Sequence, residues 1–155
     1  MDEPKTSRTL SIGKCALCGA ILSKRKMTRH LESCVREHEA PEGPAGNDES
    51  PGVSLLHLLI DGDREREYWL HLEAEAGSHL KDLDQFLRRI WLECCGHLSA
   101  FRINGRDYVS HRAPLRETGG SAMNITVGKV LAPGTTAYHN YDFGTTTTLR
   151  LKAIS

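Results

Sequence analysis

The chain has 155 residues, 39% of them hydrophobic, and a net charge of zero. This size suits one domain of about 100 residues together with a small module. No run of about 18 apolar residues is present, and residues 1–10 contain no apolar h-region, so the sequence predicts neither a membrane-spanning helix nor a secretory signal. A cytoplasmic location is the resulting expectation.

Charge is distributed unevenly along the chain. Residues 1–38 contain eight Lys and Arg against four Asp and Glu, whereas residues 39–52 contain four acidic residues and no basic one. The charges of residues 53–155 balance. A basic N-terminal segment indicates a partner surface, while a neutral remainder argues against a second, stand-alone nucleic-acid binder.

The first motif in chain order has the spacing C-x2-C-x11-H-x3-C and is formed by Cys15, Cys18, His30 and Cys34. A tight C-x2-C turn and a His and Cys one helical turn apart are the ligands typical of a structural zinc site. A segment this short buries too little apolar surface to fold without such an ion. The sequence therefore predicts a Zn²⁺ finger over residues 1–38, with His38 as an alternative fourth ligand.

The predicted finger presents basic side chains on its helix. The segment is similar to a two-Cys two-His finger, in which Ile21 and Met27 would form the small core and Ser23 would open the helix. By that comparison Ser23, Lys26 and Arg29 occupy base-reading positions. The candidate contact residues are Lys24, Arg25, Lys26 and Arg29. Contact with nucleic acid, contact with a protein partner and a purely structural role all remain open.

Residues 39–52 combine three Pro, three Gly and four acidic residues, which predicts a flexible acidic linker. After it, apolar periodicity predicts strands over 53–60, 68–73, 98–103, 107–110, 135–143 and 146–154, and helices over 79–94 and 124–131. Asp61-Gly62-Asp63 and Asn104-Gly105 predict turns, Ser78 predicts an N-cap, and residues 113–122 read as a loop. The predicted fold class is α+β, with a mainly antiparallel sheet, one long amphipathic helix and one short helix.

Several segments after the linker resemble one known family. They are the strand around Trp69, the helix from Leu80 to Glu93, the stretch HLSAFRI from His97 to Ile103, and the turn YDFG from Tyr141 to Gly144. Over about residues 53–154 the chain resembles the Ri-plasmid ORF-3-like family, also labelled insertion-element passenger TnpR proteins. The resemblance implies a compact α+β domain and no established activity. Some members also have an N-terminal C-x2-C finger, and members with this finger commonly continue past the last strand, so a complete and a truncated chain both remain open.

The main domain contains weaker candidates for chemistry. His97, Tyr141 and Asp142 lie in the recurring motifs, and an Asp beside a His could perform acid–base catalysis. In the alternative reading Asp142 is a turn residue, Phe143 a core anchor and Gly144 a position of positive φ. The sequence thus favours a zinc-binding adaptor or regulatory protein over an enzyme with a site near His97 and Asp142.

A second metal site is a further hypothesis. It would use the adjacent cysteines Cys94 and Cys95 with His97, and a fourth ligand would come from His57, His71 or His79. The alternative is that both cysteines are small apolar side chains at a helix end.

Overall fold

The computed structural model describes residues 11–38, 53–92, 95–110 and 120–155. The chain divides into two compact units, Met1–Asp48 and Glu49–Ser155. The predicted linker over residues 39–52 lies outside the described residues. Within the described ranges, no helix has the length and apolar character needed to cross a bilayer.

The first unit is a hairpin followed by a helix. Strands β1 (Ile12–Lys14) and β2 (Ile21–Ser23) pair antiparallel, and helix α1 (Lys24–His38) begins directly after β2. Gly19 has a φ of +78°, a left-handed conformation that glycine adopts without a steric penalty, and it lets the chain turn back between the strands. The hairpin and helix together have the outline that the finger spacing predicts.

The small core of this unit differs from the expected one. Met27 is buried, as are Cys15 and Cys34, but Ile21 is 66% exposed. The predicted core role of Ile21 is therefore wrong. Side chains of a strand alternate between its two faces, and β2 places Ile21 on the face open to solvent.

In its described residues, the second unit contains seven strands and two α-helices. They are β3 (Leu55–Gly62), β4 (Trp69–Glu75), α2 (Leu80–Leu87), β5 (Ser99–Ile103), β6 (Arg106–Val109), β7 (Ser121–Ala122), α3 (Val127–Val130), β8 (Thr136–Tyr141) and β9 (Thr147–Ala153). The strand order is β4-β3-β9-β8-β5-β6-β7, and every neighbouring pair is antiparallel except β6 with β7. This confirms the predicted α+β class. The short β7 lies in a segment predicted as loop, because two residues are too few to show a period.

One face of this sheet holds the core. Alternate residues of β3 such as Leu58 and Ile60 are fully buried, as are Leu80 and Leu87 of α2. The same cluster continues across the sheet through Phe101, Ile103, Ala137, Tyr141, Leu149 and Leu151. Since side chains alternate along a strand, the residues between these positions form the opposite face of the sheet.

The turn predicted at Asp61-Gly62-Asp63 is wrong in its first two residues. Strand β3 runs through Asp61, which pairs with Trp69 on β4 and Arg150 on β9. Aspartate often forms turns because its carboxylate can hydrogen-bond to nearby backbone groups. The carboxylate of Asp61 instead binds Arg150. Gly62 fits the strand end because a Cβ there would lie 2.6 Å from the Glu65 carbonyl oxygen.

The long helix also departs from its predicted pattern. A π-helical turn, Arg88–Leu92, follows α2. A π-helix has more residues per turn than an α-helix, so the side chains that face the core shift along the sequence. As a result Leu92 is buried, while Ile90 and Trp91 are partly exposed. The N-cap is His79, one residue after the predicted Ser78. The hydroxyl of Ser78 instead donates to the Glu75 carbonyl at 2.7 Å.

Candidate metal centre and basic groove

The hairpin turn and helix α1 bring four ligand residues to one point. Cys15 and Cys18 lie in the turn after β1, and His30 and Cys34 lie one helical turn apart on α1. The turn is closed by two backbone hydrogen bonds, from the Cys15 N–H to the Ala20 carbonyl and from the Gly19 N–H to the Cys15 carbonyl. The local backbone thus fixes two ligands and the helix fixes the other two.

The ligand atoms have the spacing of a tetrahedral metal site. The three sulfurs and the imidazole nitrogen all lie within 4.8 Å of one another. The Cys15 and Cys34 sulfurs are 3.9 Å apart, and the Cys18 sulfur is 3.2 Å from His30 Nε2. A zinc site with Zn–S bonds of about 2.3 Å and a Zn–N bond of about 2.0 Å has edges of roughly 3.5–3.8 Å. The quartet could therefore hold a metal ion.

Two thiols of the quartet have opposite pKa shifts. The backbone N–H of Cys18 lowers the pKa of Cys15 to about 6, with a further contribution from the Leu17 N–H and against the effect of burial. Burial raises the pKa of Cys34 to about 12, and the neighbouring Cys18 and Cys15 add to this rise. A cation bound at the centre would favour the thiolate form of both.

His38, the alternative fourth ligand, lies beside the quartet and not within it. Its Nδ1 is 2.8 Å from the Cys34 carbonyl oxygen and 3.7 Å from the Cys34 sulfur. The short contact to the carbonyl gives Nδ1 the role of a hydrogen-bond donor. In this position His38 would orient the end of α1 and the backbone of Cys34.

A basic groove lies next to the metal centre. It is open, has a volume of about 610 Å³, and is lined by Leu22, Ser23, Arg25, Lys26, Arg29, His30 and Ser33. Three of the four predicted contact residues line it, and Lys24 does not. The three positions predicted to read bases, Ser23, Lys26 and Arg29, all face this one groove. Leu22 and Ser33 were not predicted, since their contribution depends on how the hairpin meets the helix.

The structure brings His97, Tyr141 and Asp142 together in the second unit. The His97 Nδ1 is 3.8 Å from Asp142 Oδ1, and the His97 N–H donates to the Tyr141 hydroxyl at 3.4 Å. Asp142 Oδ1 also accepts a hydrogen bond from the Gly144 N–H at 3.0 Å. The carboxylate is therefore tied into its own turn, as expected for a turn residue.

Two details of that turn differ from the alternative reading. Phe143 is 49% exposed, so it is not a core anchor. The residue with positive φ is Asp142, at +59°, and not Gly144. Asp tolerates this conformation because its short side chain can hydrogen-bond locally, as it does here to Gly144.

A buried polar network beside this turn was not predicted. His139 Nε2 lies 2.7 Å from Asp84 Oδ1, and Arg88 Nη1 lies 3.6 Å from Asp84 Oδ2. The Arg88 guanidinium also stands 5.3 Å from the centre of the Tyr141 ring. Asp84 and His139 are 55 residues apart, but Arg88 follows Asp84 by four residues, a helical spacing that could have indicated their ion pair.

The cysteine-based second site is not tested, because Cys94 lies outside the described residues. Cys95 is exposed. Among the described residues, the ligand atoms of three or more Cys, His, Asp or Glu side chains are already grouped around one point at a single place, the Cys15, Cys18, His30 and Cys34 quartet.

The fold and the quartet define a protein with an α+β unit and a candidate three-Cys one-His metal centre. No protein-family model matches the chain, and no curated protein matches it. Among solved structures it is similar to a protein of unknown function from Methanosarcina mazei Go1, with a TM-score of 0.52 and 17% identity. The match covers 66% of this chain and 60% of that one, and likeness at this identity supports the fold alone.

Proposed function

We propose that this is a zinc-binding regulatory or adaptor protein whose finger binds nucleic acid through the basic groove. The ion is Zn²⁺, because three thiolates and one imidazole form a closed, four-ligand set of the structural zinc type. The main support for nucleic-acid binding is that Ser23, Lys26 and Arg29 all line one open groove.

The chemistry of the groove suits a phosphate backbone. Arg25, Lys26 and Arg29 supply three cations, and the Ser23 and Ser33 hydroxyls supply neutral hydrogen-bonding groups. Cations that neutralise phosphates release counterions, which gives binding that weakens steeply as salt rises. Because His30 lines the groove and belongs to the quartet, metal binding would fix the shape of the groove.

The remaining expectations extend this proposal. We assign residues 53–155 to the Ri-plasmid ORF-3-like family, on the quoted motifs and the α+β fold, and give that unit the role of binding a second partner. A single finger reads only about three base pairs, so a second contact would add useful affinity. Cytoplasmic location remains part of the same proposal.

The test is fluorescence anisotropy of labelled single- and double-stranded DNA and RNA with the zinc-loaded full chain at several salt concentrations. Charge reversal at both positions, by Lys26→Glu together with Arg29→Glu, should weaken binding at least tenfold. It should also make the slope of log affinity against log salt concentration shallower by about 1.4–1.8, because each phosphate contact contributes about 0.7–0.9. The matched control reverses Arg36 and Lys129, which do not line the groove. Absence of salt-sensitive binding, or equal weakening by both double variants, would contradict the nucleic-acid assignment and leave a protein partner for the finger.

A further inference from the structure

Two histidines on neighbouring strands of the second unit meet edge to edge. His57 is on β3 and His71 on β4, and His57 Nε2 lies 2.7 Å from His71 Nδ1. Their ring centres are 4.9 Å apart and the rings are tilted by 47°. Both side chains are half-buried, so the pair is held by the sheet and still open to solvent.

The register places a carboxylate beside this pair. Glu73 is directly opposite His57 in the β3–β4 pairing, and His71 is opposite Leu59, two residues further along. All three side chains therefore belong to the same sheet face, the one opposite the core. Directly opposed residues of antiparallel strands have Cβ atoms about 4.5–5.5 Å apart, so the exposed Glu73 can reach the imidazoles by changing its rotamer.

We propose that His57 and His71 form a second metal-binding site, completed by Glu73, for a borderline divalent cation such as Ni²⁺. Imidazole is the ligand these ions favour. With metal–nitrogen bonds of about 2.0–2.1 Å, two imidazoles on one ion have nitrogens roughly 2.9–3.4 Å apart. The two nitrogens need to separate by roughly 0.2–0.7 Å, and both rings need to turn so that their lone pairs point at the ion. The donor ring loses the shared proton and takes one up on its other nitrogen, so both imidazoles stay neutral.

This site is independent of the finger and of Cys94 and Cys95. Asp61, also on β3, forms two hydrogen bonds with Arg150 of β9 and is not part of the site. On β9, Lys152 is opposite Leu59 and places one positive charge near the site, while Glu73 supplies one negative charge. These two charges offset each other, so charge alone does not attract a cation to the site. Metal binding depends instead on the short distance between the two imidazole nitrogens.

The chain contains its own reporter for this site. Trp69 meets the His71 ring edge-on, with ring centres 5.7 Å apart, and the sequence contains two tryptophans. A paramagnetic ion bound to His71 should quench Trp69 fluorescence because quenching of this kind acts at contact range. The other tryptophan, Trp91, lies on the π-helical turn and provides a matched control.

The experiment titrates Ni²⁺ into the zinc-loaded full chain and follows tryptophan fluorescence, with finger zinc monitored by a chromophoric chelator. We expect saturable quenching with one Ni²⁺ per chain and no loss of zinc. His57→Gln and His71→Gln should each raise the half-saturating Ni²⁺ concentration at least tenfold, while the exposed His79→Gln leaves it unchanged. Trp69→Phe should remove the quenching, and Trp91→Phe should preserve it.

The melting temperature of each variant shows whether it still folds. If either His57→Gln or His71→Gln melts at the same temperature as the parent, its Ni²⁺ titration is sufficient to test the proposal. Glu73→Gln, which changes only an exposed side chain, should raise the half-saturating concentration severalfold. Non-saturable quenching in the parent, or quenching that survives His57→Gln or His71→Gln unchanged, would overturn the proposal. Quenching that persists in Trp69→Phe would place the ion elsewhere and would also overturn it.

Discussion

Arg150 on β9 binds the carboxylate of Asp61 on β3 through two hydrogen bonds. Arg150 Nη2 donates to Oδ2 at 2.7 Å and Nε donates to Oδ1 at 3.0 Å. Asp61 is only 1% exposed, so its charge depends on this partner. The same hydrogen bonds raise the pKa of Arg150. A buried carboxylate near the end of strand β3 is thereby made compatible with the fold.

Arg150→Met should destabilise the second unit by about 3 kcal/mol, because it leaves a buried carboxylate without its cation. The matched control is Arg102→Met. Arg102 pairs with Asp107 at 3.4 Å, but it is 58% exposed, and such pairs contribute about 0–1 kcal/mol. Urea unfolding followed by tryptophan fluorescence measures both values. Similar losses in the two variants would contradict the assigned role of Asp61.

The pH dependence of this contribution follows from the raised pKa of Arg150. A base whose pKa rises on folding gives stability that is present below its ordinary pKa and is lost only as the pH rises through the raised value. The difference in unfolding free energy between parent and Arg150→Met should therefore not fall between pH 6 and pH 9. Repeating the urea series at these two pH values checks this.

The turn at Asp142 gives a second stability prediction. Asp142→Asn keeps an oxygen that accepts from Gly144 and tolerates positive φ, so we expect a change of less than about 0.5 kcal/mol. Asp142→Ala loses that bond and places Ala in the left-handed region, which should cost about 1–3 kcal/mol. The measurement is again urea unfolding, and an Asn variant as unstable as the Ala variant would show that the negative charge is what matters.

Metal binding at the finger should strengthen as the pH rises. The pKa of Cys34 is raised to about 12 by burial, so its thiol must release a proton when the ion binds, whereas Cys15, with its pKa lowered to about 6, is already largely thiolate at pH 7. Each proton released makes the apparent affinity rise tenfold per pH unit. Competition with a chelator between pH 6 and pH 8 measures the slope, and a slope of zero would contradict coordination by the Cys34 thiolate.

The parts of this structure that were predictable are the local ones. The quartet is readable because a C-x2-C turn and a four-residue helical step place ligands together without any knowledge of the fold. The hairpin at Asn104-Gly105 is confirmed for the same reason, since β5 and β6 flank it. The α+β class followed from strands and helices recognised separately by their periods.

The parts that could not be predicted depend on distant residues. Asp61 reads as a turn residue until Arg150, 89 positions later, is placed beside it. The contact between His57 and His71 requires the β3–β4 register, which no local pattern supplies. The π-helical turn shifts burial from Ile90 and Trp91 to Leu92, a change that a regular helical period cannot show.

The most direct test is the content of tightly bound zinc in the purified full chain, measured by elemental analysis after gel filtration. We expect one equivalent per chain in the parent and in Cys95→Ser, whose exposed thiol lies outside the quartet. Cys34→Ser should lose that equivalent, and amides of α1 should then exchange with solvent far faster. A parent chain without stoichiometric metal, or a Cys34→Ser variant that retains it, would contradict the metal centre on which the proposed function rests.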